Sequence, residues 1–138
     1  MPGGAVDEPS RARCNEPPPA ELLEGIEQFN KGEFFEQHET LELLWRDTRT
    51  PDRALYHGIL QIGVGFHHWR NGNFHGASVL LDEGIERLRP FAPTCQTVDV
   101  ASLVADASAA RSRLSQLGEA SMRTVDAVAI APRIRFTP

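Results

Sequence analysis

The sequence predicts an all-α protein: a compact multi-helical bundle of about five helices with an extended C-terminal strap. Three observations point there. Apolar residues recur at the 3–4 spacing of amphipathic helices in successive windows. Strong breakers separate those windows: Pro17-Pro18-Pro19, Gly32, Thr50-Pro51-Asp52, Asn71-Gly72-Asn73 and Arg89-Pro90. No segment has the alternation of a convincing sheet.

Residues 1–18 read as a flexible tail, rich in Pro, Gly and charge. A first helix starts at Ala20, carries Leu22, Leu23, Ile26 and Phe29 on its apolar side, and stops at Gly32. A second runs from about Phe34 to Arg49. The third, from about Arg53 to Arg70, has no Asp, Glu, Lys or Arg between Leu55 and Trp69, which marks a central helix buried on most sides. A fourth places Phe74, Ala77, Leu81, Ile85 and Leu88 on one face and ends at Arg89-Pro90. Asp99 is a candidate N-cap for a fifth, with Val100, Leu103, Ala107, Ala110 and Leu114 inward. The helical pattern fades beyond Gly118, and Ile130 to Phe136 reads as a strap laid over the bundle. The organisation expected is therefore a tail (1–18), a bundle domain (19–120) and a packed C-terminal extension (121–138).

The chain of 138 residues has a formal net charge of −5, and its first 45 residues hold ten Asp/Glu against three Lys/Arg. No basic patch is interleaved with aromatics, so nucleic-acid binding has no support. No apolar stretch is long enough for a membrane span, and the N-terminus lacks the apolar region of a signal peptide. Cys14 and Cys95 have neither metal-site spacing nor the density of a secreted scaffold, so reduced thiols in the cytoplasm are expected.

All five His, both Trp and the single Tyr fall between His38 and His75. On a helical wheel, His38 has Trp45, Phe34 and Leu41 on one side and Glu42 and Phe35 on the other, all within roughly a sixth of a turn. His38 and Glu42 thus sit among large hydrophobes, where a carboxylate needs a partner or a metal. An i,i+4 His/Glu pair can aim a nitrogen and an oxygen at one point, or simply hydrogen-bond. His38-Glu39-x-x-Glu42 differs by one residue from the zinc-protease pattern His-Glu-x-x-His, whose inner Glu is the general base; Glu39 occupies that place. Arg46 lies close to Glu39, and Trp45 flanks the stripe.

The third helix supplies a second set. His57, Gln61 and His68 fall on one narrow stripe of the wheel, while His67 stands apart, roughly a quarter of a turn to the other side of His57. Gly58 and Gly65 flank that stripe and admit a close neighbour. If the second and third helices pack antiparallel, both stripes face one pocket, with donors suited to zinc, iron, manganese or nickel. The rival view makes the stripe a wet helix edge. A weak internal echo, Gly32-x-Phe34 and Gly72-x-Phe74, resembles the hairpins of tetratricopeptide-type repeats.

The run Phe29-Asn30-x-Gly32-x-Phe34-Phe35-Glu36-x-His38-Glu39-x-x-Glu42-x-x-Trp45-Arg46 resembles the signature of the domain of unknown function 309 family. His57-Gly58-Ile59-Leu60-Gln61-Ile62, His67-His68 and Arg70-Asn71-Gly72-Asn73-x-x-Gly76-Ala77 resemble its second block, and Val98-Asp99-Val100 and Pro132-Arg133-Ile134 its later elements. The resemblance implies a compact multi-helical fold and His38, Glu39, Glu42 and Trp45 as functional residues. It also brings the label of a predicted metal-dependent hydrolase.

Two functions are carried forward. In the first, His38, Glu42, His57 and His68 hold a divalent metal, Glu39 activates water, and Gln61, His67, Trp45 and Arg46 line a pocket for an unknown small molecule. In the second, the chain is a non-catalytic, tetratricopeptide-like binding or scaffold module. Its polar cluster is then a structural hydrogen-bond network, and it binds in the groove left by the Gly-x-Phe hairpins. Homo-oligomerisation is compatible with both.

Overall fold

The computed structural model describes residues 10–137. Five long helices make the body: α1 (Ala20–Asn30), α2 (Phe34–Asp47), α3 (Arg53–Arg70), α4 (Phe74–Leu88) and α5 (Val100–Ser121). A four-residue α6 (Ala127–Ile130) follows, and 3-10 turns span Arg89–Phe91 and Met122–Thr124. The protein is all-helical apart from a small antiparallel hairpin, β1 (Thr94–Cys95) and β2 (Val98–Asp99). That hairpin and the short α6 are absent from the sequence reading. Two residues per strand are too few to register as alternation.

Helix α3 is the hub. Leu55, Tyr56, Ile59, Ile62, Phe66 and Trp69 are buried, and the helix packs most extensively on α4 and then on α2. Its freedom from charge between Leu55 and Trp69 has this cause: few positions face water, and an ion on the others would be stranded. Gly58 and Gly65 do admit a close neighbour, and it is α4, whose Leu88 and Leu81 lie against them. The rings of Phe29, Phe34 and Phe66 meet at centroid distances of 5.3–6.1 Å and lock α1, α2 and α3 together.

The two Gly-x-Phe turns are a matched pair. Gly32 and Gly72 have φ of +77° and +76°, the left-handed conformation that reverses the chain between consecutive helices. The C-terminal stretch packs against both turns. Val128 lies over Gly32 and Arg123 over Gly72, while Trp69 Nε1 donates to the Met122 carbonyl at 2.8 Å. The chain's own C-terminal stretch thus occupies part of the surface that the tetratricopeptide-like reading reserves for a partner.

Residues 131–137 run extended beside α1 and β2. Asn30 holds this strand as a neighbouring backbone would: its Nδ2 donates to the Ile134 carbonyl (2.9 Å), and its Oδ1 accepts from the Ile134 N–H (2.8 Å). The Asp99 N–H donates to the Arg135 carbonyl, and the Thr137 N–H to the Thr97 carbonyl.

The N-terminal stretch departs from expectation. Residues 1–9 of the expected tail lie outside the described residues, but 10–16 are packed down. Cys14 is buried and disulfide-bonded to Cys95 across 81 residues of sequence, not a reduced thiol. Spacing carries no trace of a pairing that long; only the fold brings the two together. The Arg11 guanidinium donates to the carbonyls of Pro90, Ala92 and Thr94 at 2.9–3.3 Å. The Gln96 N–H donates to the Cys14 carbonyl at 2.7 Å.

No helix among the described residues is long and apolar enough to cross a membrane.

Candidate functional site

The buried face of α2 is Phe34, Gln37 and Leu41, turned one residue from the face centred on His38. Gln37 is fully buried and its Nε2 donates to the Ile59 carbonyl of α3 at 3.1 Å. It fits because residue 63 is glycine: a Cβ there would lie 2.1 Å from Gln37 Oε1. A polar residue at the centre of an otherwise apolar 34/37/41/44 pattern, with a glycine on the facing helix, is the sequence signal for this wedge.

The rotation moves His38 and Glu42 outward. Their side chains are 39% and 44% exposed, and His38 Nε2 lies 3.1 Å from Glu42 Oε2. They are therefore a half-exposed i,i+4 pair and not the buried residues that the helical wheel predicts. Glu39 and Arg46 are exposed beside Glu42 and Leu43, around a shallow cleft of about 240 Å³.

The polar residues of α3 part company. His57 stacks on Trp45 with ring centroids 4.3 Å apart. The Arg53 guanidinium covers the same indole at 4.8 Å. Burial, then the charges of Arg87 and Arg53, lowers the His57 pKa below its ordinary 6.5 and favours the neutral ring. Gln61 faces α4: its Nε2 donates to Glu83 (3.0 Å) and its Oε1 accepts from Arg87 (2.9 Å). His68 Nδ1 accepts from Asn73 Nδ2 at 3.2 Å. His57, Gln61 and His68 form the rim between α2 and α4, each engaged locally.

A different set converges. Phe34, Phe35, His38, Val64, His67 and His68 line a largely apolar cleft of about 300 Å³ at one end of the α2/α3 interface. Phe35 is half-exposed at its edge, 6.1 Å from the His67 ring and 6.5 Å from His38. The Asn71 amide nitrogen donates to His67 Nε2 (3.1 Å), which leaves the ring proton on Nδ1. That Nδ1 is buried with no acceptor among the described residues. Burial, then Arg70, His68 and His38, holds the His67 pKa below 6.5. His67, the weakest candidate on the helical wheel, is thus central to the cleft, whereas His57 lies at the far end of the helix pair.

A second polar constellation escaped the sequence reading. Asp52, Tyr56 and Gln96 are buried together beneath the N-terminal arm. The Tyr56 hydroxyl lies 3.0 Å from Asp52 Oδ2 and 2.8 Å from Gln96 Oε1, and Gln96 Nε2 donates to Asp52 Oδ2 at 3.0 Å. Thr50 also donates to Asp52, and the Arg13 guanidinium stands 3.7 Å away. Burial opposes ionisation of Asp52, but hydrogen bonds from Thr50, Tyr56 and Gln96 outweigh it and hold the carboxyl below its usual range. Burial pushes the Tyr56 hydroxyl far above its ordinary value. With Pro51 next to Asp52, only a turn is legible there; Gln96 arrives from a distant part of the sequence, beyond α4.

Among the described residues, no three His, Cys, Asp or Glu side chains gather as a metal site requires.

Residues 22–80 match the family model described as a domain of unknown function (DUF309), the stretch from α1 to α4 that contains the cleft. No curated protein and no solved structure matches the chain.

Proposed function

We propose that this chain, a member of the domain of unknown function 309 family, is a non-catalytic helical binding module that holds a small molecule between α2 and α3. One observation carries the reading. The polar side chains of α3 are divided among separate partners, His57 to Trp45, Gln61 to Glu83 and Arg87, and His68 to Asn73, instead of sharing one point. What remains concave is the apolar cleft of Phe34, Phe35, His38, Val64, His67 and His68. Its chemistry suits a ligand with an apolar body and an acceptor oxygen, because the His67 Nδ1–H is a buried donor without a partner.

The hydrolase reading asks for zinc, iron, manganese or nickel held by His38 and Glu42 with His57 or His68. Only His38 and Glu42 stand at ligand-sharing distance, whereas a catalytic zinc takes three protein ligands. The residues present do not fit such a centre, and no step through a metal is derived.

The experiment uses the untagged full chain. Acetophenone, an apolar ring with one acceptor oxygen, should shift the His67 and His68 ring signals saturably in carbon-resolved NMR, and less so in Phe35→Ala. Shifts scattered over the surface would overturn the cleft. Titration with zinc, nickel and manganese should show no stoichiometric uptake. Stoichiometric uptake lost in His38→Ala, with the helical spectrum intact, would restore the hydrolase reading.

A further inference from the structure

Between α1 and the C-terminal strand a further cleft of about 460 Å³ opens. Its exposed apolar surface is Leu23 and Phe136, 44% and 42% exposed, with the buried Ile26 and Ile134 beneath. Lys31, Arg133 and Arg135 bring three cations to the same cleft. The chain as a whole has a net charge of −5, so this concentration runs against the overall balance.

Several arginines of the molecule are already engaged. Arg11 is spent on backbone carbonyls, Arg70 on the Gly32 carbonyl, Arg87 on Gln61 and Arg111 on Asp82. The guanidinium groups of Arg133 and Arg135 make no hydrogen bond or ion pair among the described residues. They stand two apart on an extended strand, so both leave the backbone on the same side. That strand is pinned on both edges, by Asn30 to the backbone of Ile134 and by Asp99 to the carbonyl of Arg135. Two forked donors are therefore mounted on a fixed backbone, on the face opposite the inward-turned Ile134, and their long side chains line the same cleft as Leu23 and Phe136. The one acid in the cleft, Glu27, lies 3.8 Å from Lys31, at the α1 side.

We propose that this cleft is a binding site for an amphipathic monocarboxylate. The carboxylate takes hydrogen bonds from Arg133 and Arg135, on the strand side away from Glu27. The apolar body lies on Leu23 and Phe136. Guanidinium forks match carboxylate oxygens in geometry as well as charge, and the apolar wall selects against small hydrophilic anions. The site shares no residue with the His67 cleft, so either can fail alone.

Octanoate is the probe, with octanamide and acetate as controls, each titrated into the full-length protein at low salt. Octanoate should bind saturably and shift the backbone amides of Lys31, Ile134 and Phe136. Octanamide and acetate should each bind at least about tenfold more weakly, one lacking the charge and the other the chain. The double variant Arg133→Ala/Arg135→Ala, at exposed positions, should lose octanoate by a similar factor while its melting temperature is unchanged. Added salt should weaken octanoate and leave octanamide unaffected. Equal binding of octanoate and octanamide, octanoate shifts mapping elsewhere, undiminished binding by the double variant, or no saturation at millimolar octanoate would each overturn the assignment.

Discussion

Two polar constellations lie about α3, and they obey opposite rules. At its N-terminal end Asp52, Tyr56 and Gln96 are sealed from water, and each is bonded to another member of the cluster. At its C-terminal end His67 and His68 share a partly open cleft with His38, and one buried ring nitrogen, His67 Nδ1, stays unpartnered among the described residues. A buried ion must be satisfied at folding or the fold suffers, so the first cluster reads as architecture. The second keeps an unmet hydrogen-bonding group beside apolar surface, which is a preparation for a ligand. Residue type alone does not separate the two; an unmet group lining an open cleft does.

This contrast is open to direct attack. The largest effect should come from the disulfide that ties the arm over the first cluster. Cys14→Ser/Cys95→Ser removes a cross-link spanning 81 residues, and loop-closure entropy puts the loss at about 4.5 kcal/mol as an upper figure. Denaturant unfolding with and without reductant measures it. An unchanged midpoint would mean that the arm contributes nothing to closing the cluster.

Next is the cluster itself. Asp52→Ala strips Tyr56 and Gln96 of a buried acceptor and should cost about 1–3 kcal/mol. The pH dependence has a definite sign. The folded-state pKa of Asp52 lies below the ordinary 3.8, so its contribution is fully present above that value and is lost as pH falls from there through the folded pKa. Asp52→Asn should therefore flatten the acid limb of the stability curve below about pH 3.8. An unaltered limb would remove Asp52 from the account.

Gly63→Ala probes the wedge that sets the rotation of α2. The new methyl meets the Gln37 carboxamide, and overpacking of this kind costs about 1–3 kcal/mol. Gln37→Ala in the same chain should recover much of that loss. Additive penalties would place the conflict elsewhere.

The smallest change belongs to the half-exposed pair. His38→Ala and Glu42→Gln should each alter stability by no more than about 0.5 kcal/mol, since exposed i,i+4 pairs contribute little. In NMR titration His57 and His67 should protonate below pH 6.5, because burial disfavours their charged forms. Any stability they add is present above 6.5 and lost as pH falls through their lower folded values. A midpoint at or above 6.5 for His67 would contradict a buried, neutral ring in the cleft.

Much of the fold is readable from residue order. The limits of α1, α3 and α4 follow from Pro19, Gly32, Asp52 and Asn71-Gly72, because breakers act through local backbone geometry. Asp99 caps α5 as its side-chain chemistry predicts, accepting from the Ser102 N–H at 3.0 Å. The site is less legible. Helical phasing picks out α2 and α3, and it brings His38, His67 and His68 into consideration. It cannot choose between His38 and Gln37 for the buried face, since both are polar and one residue apart. That choice is made by the room Gly63 leaves on the facing helix.

Local rules thus govern what each segment becomes: where helices begin, where they stop, and which of them is central. Periodicity and capping are nearest-neighbour physics, and nearest neighbours are given by residue order. What only packing decides is partnership. Cys14 finds Cys95, Asn30 pairs with Ile134 like a strand, and the C-terminal stretch packs against both Gly-x-Phe turns. Such contacts join residues tens of positions apart, and their identity depends on the rotation and offset of whole helices. The cluster of histidines between His38 and His75 is a property of composition; its division into a rim and a cleft is a property of the assembled bundle.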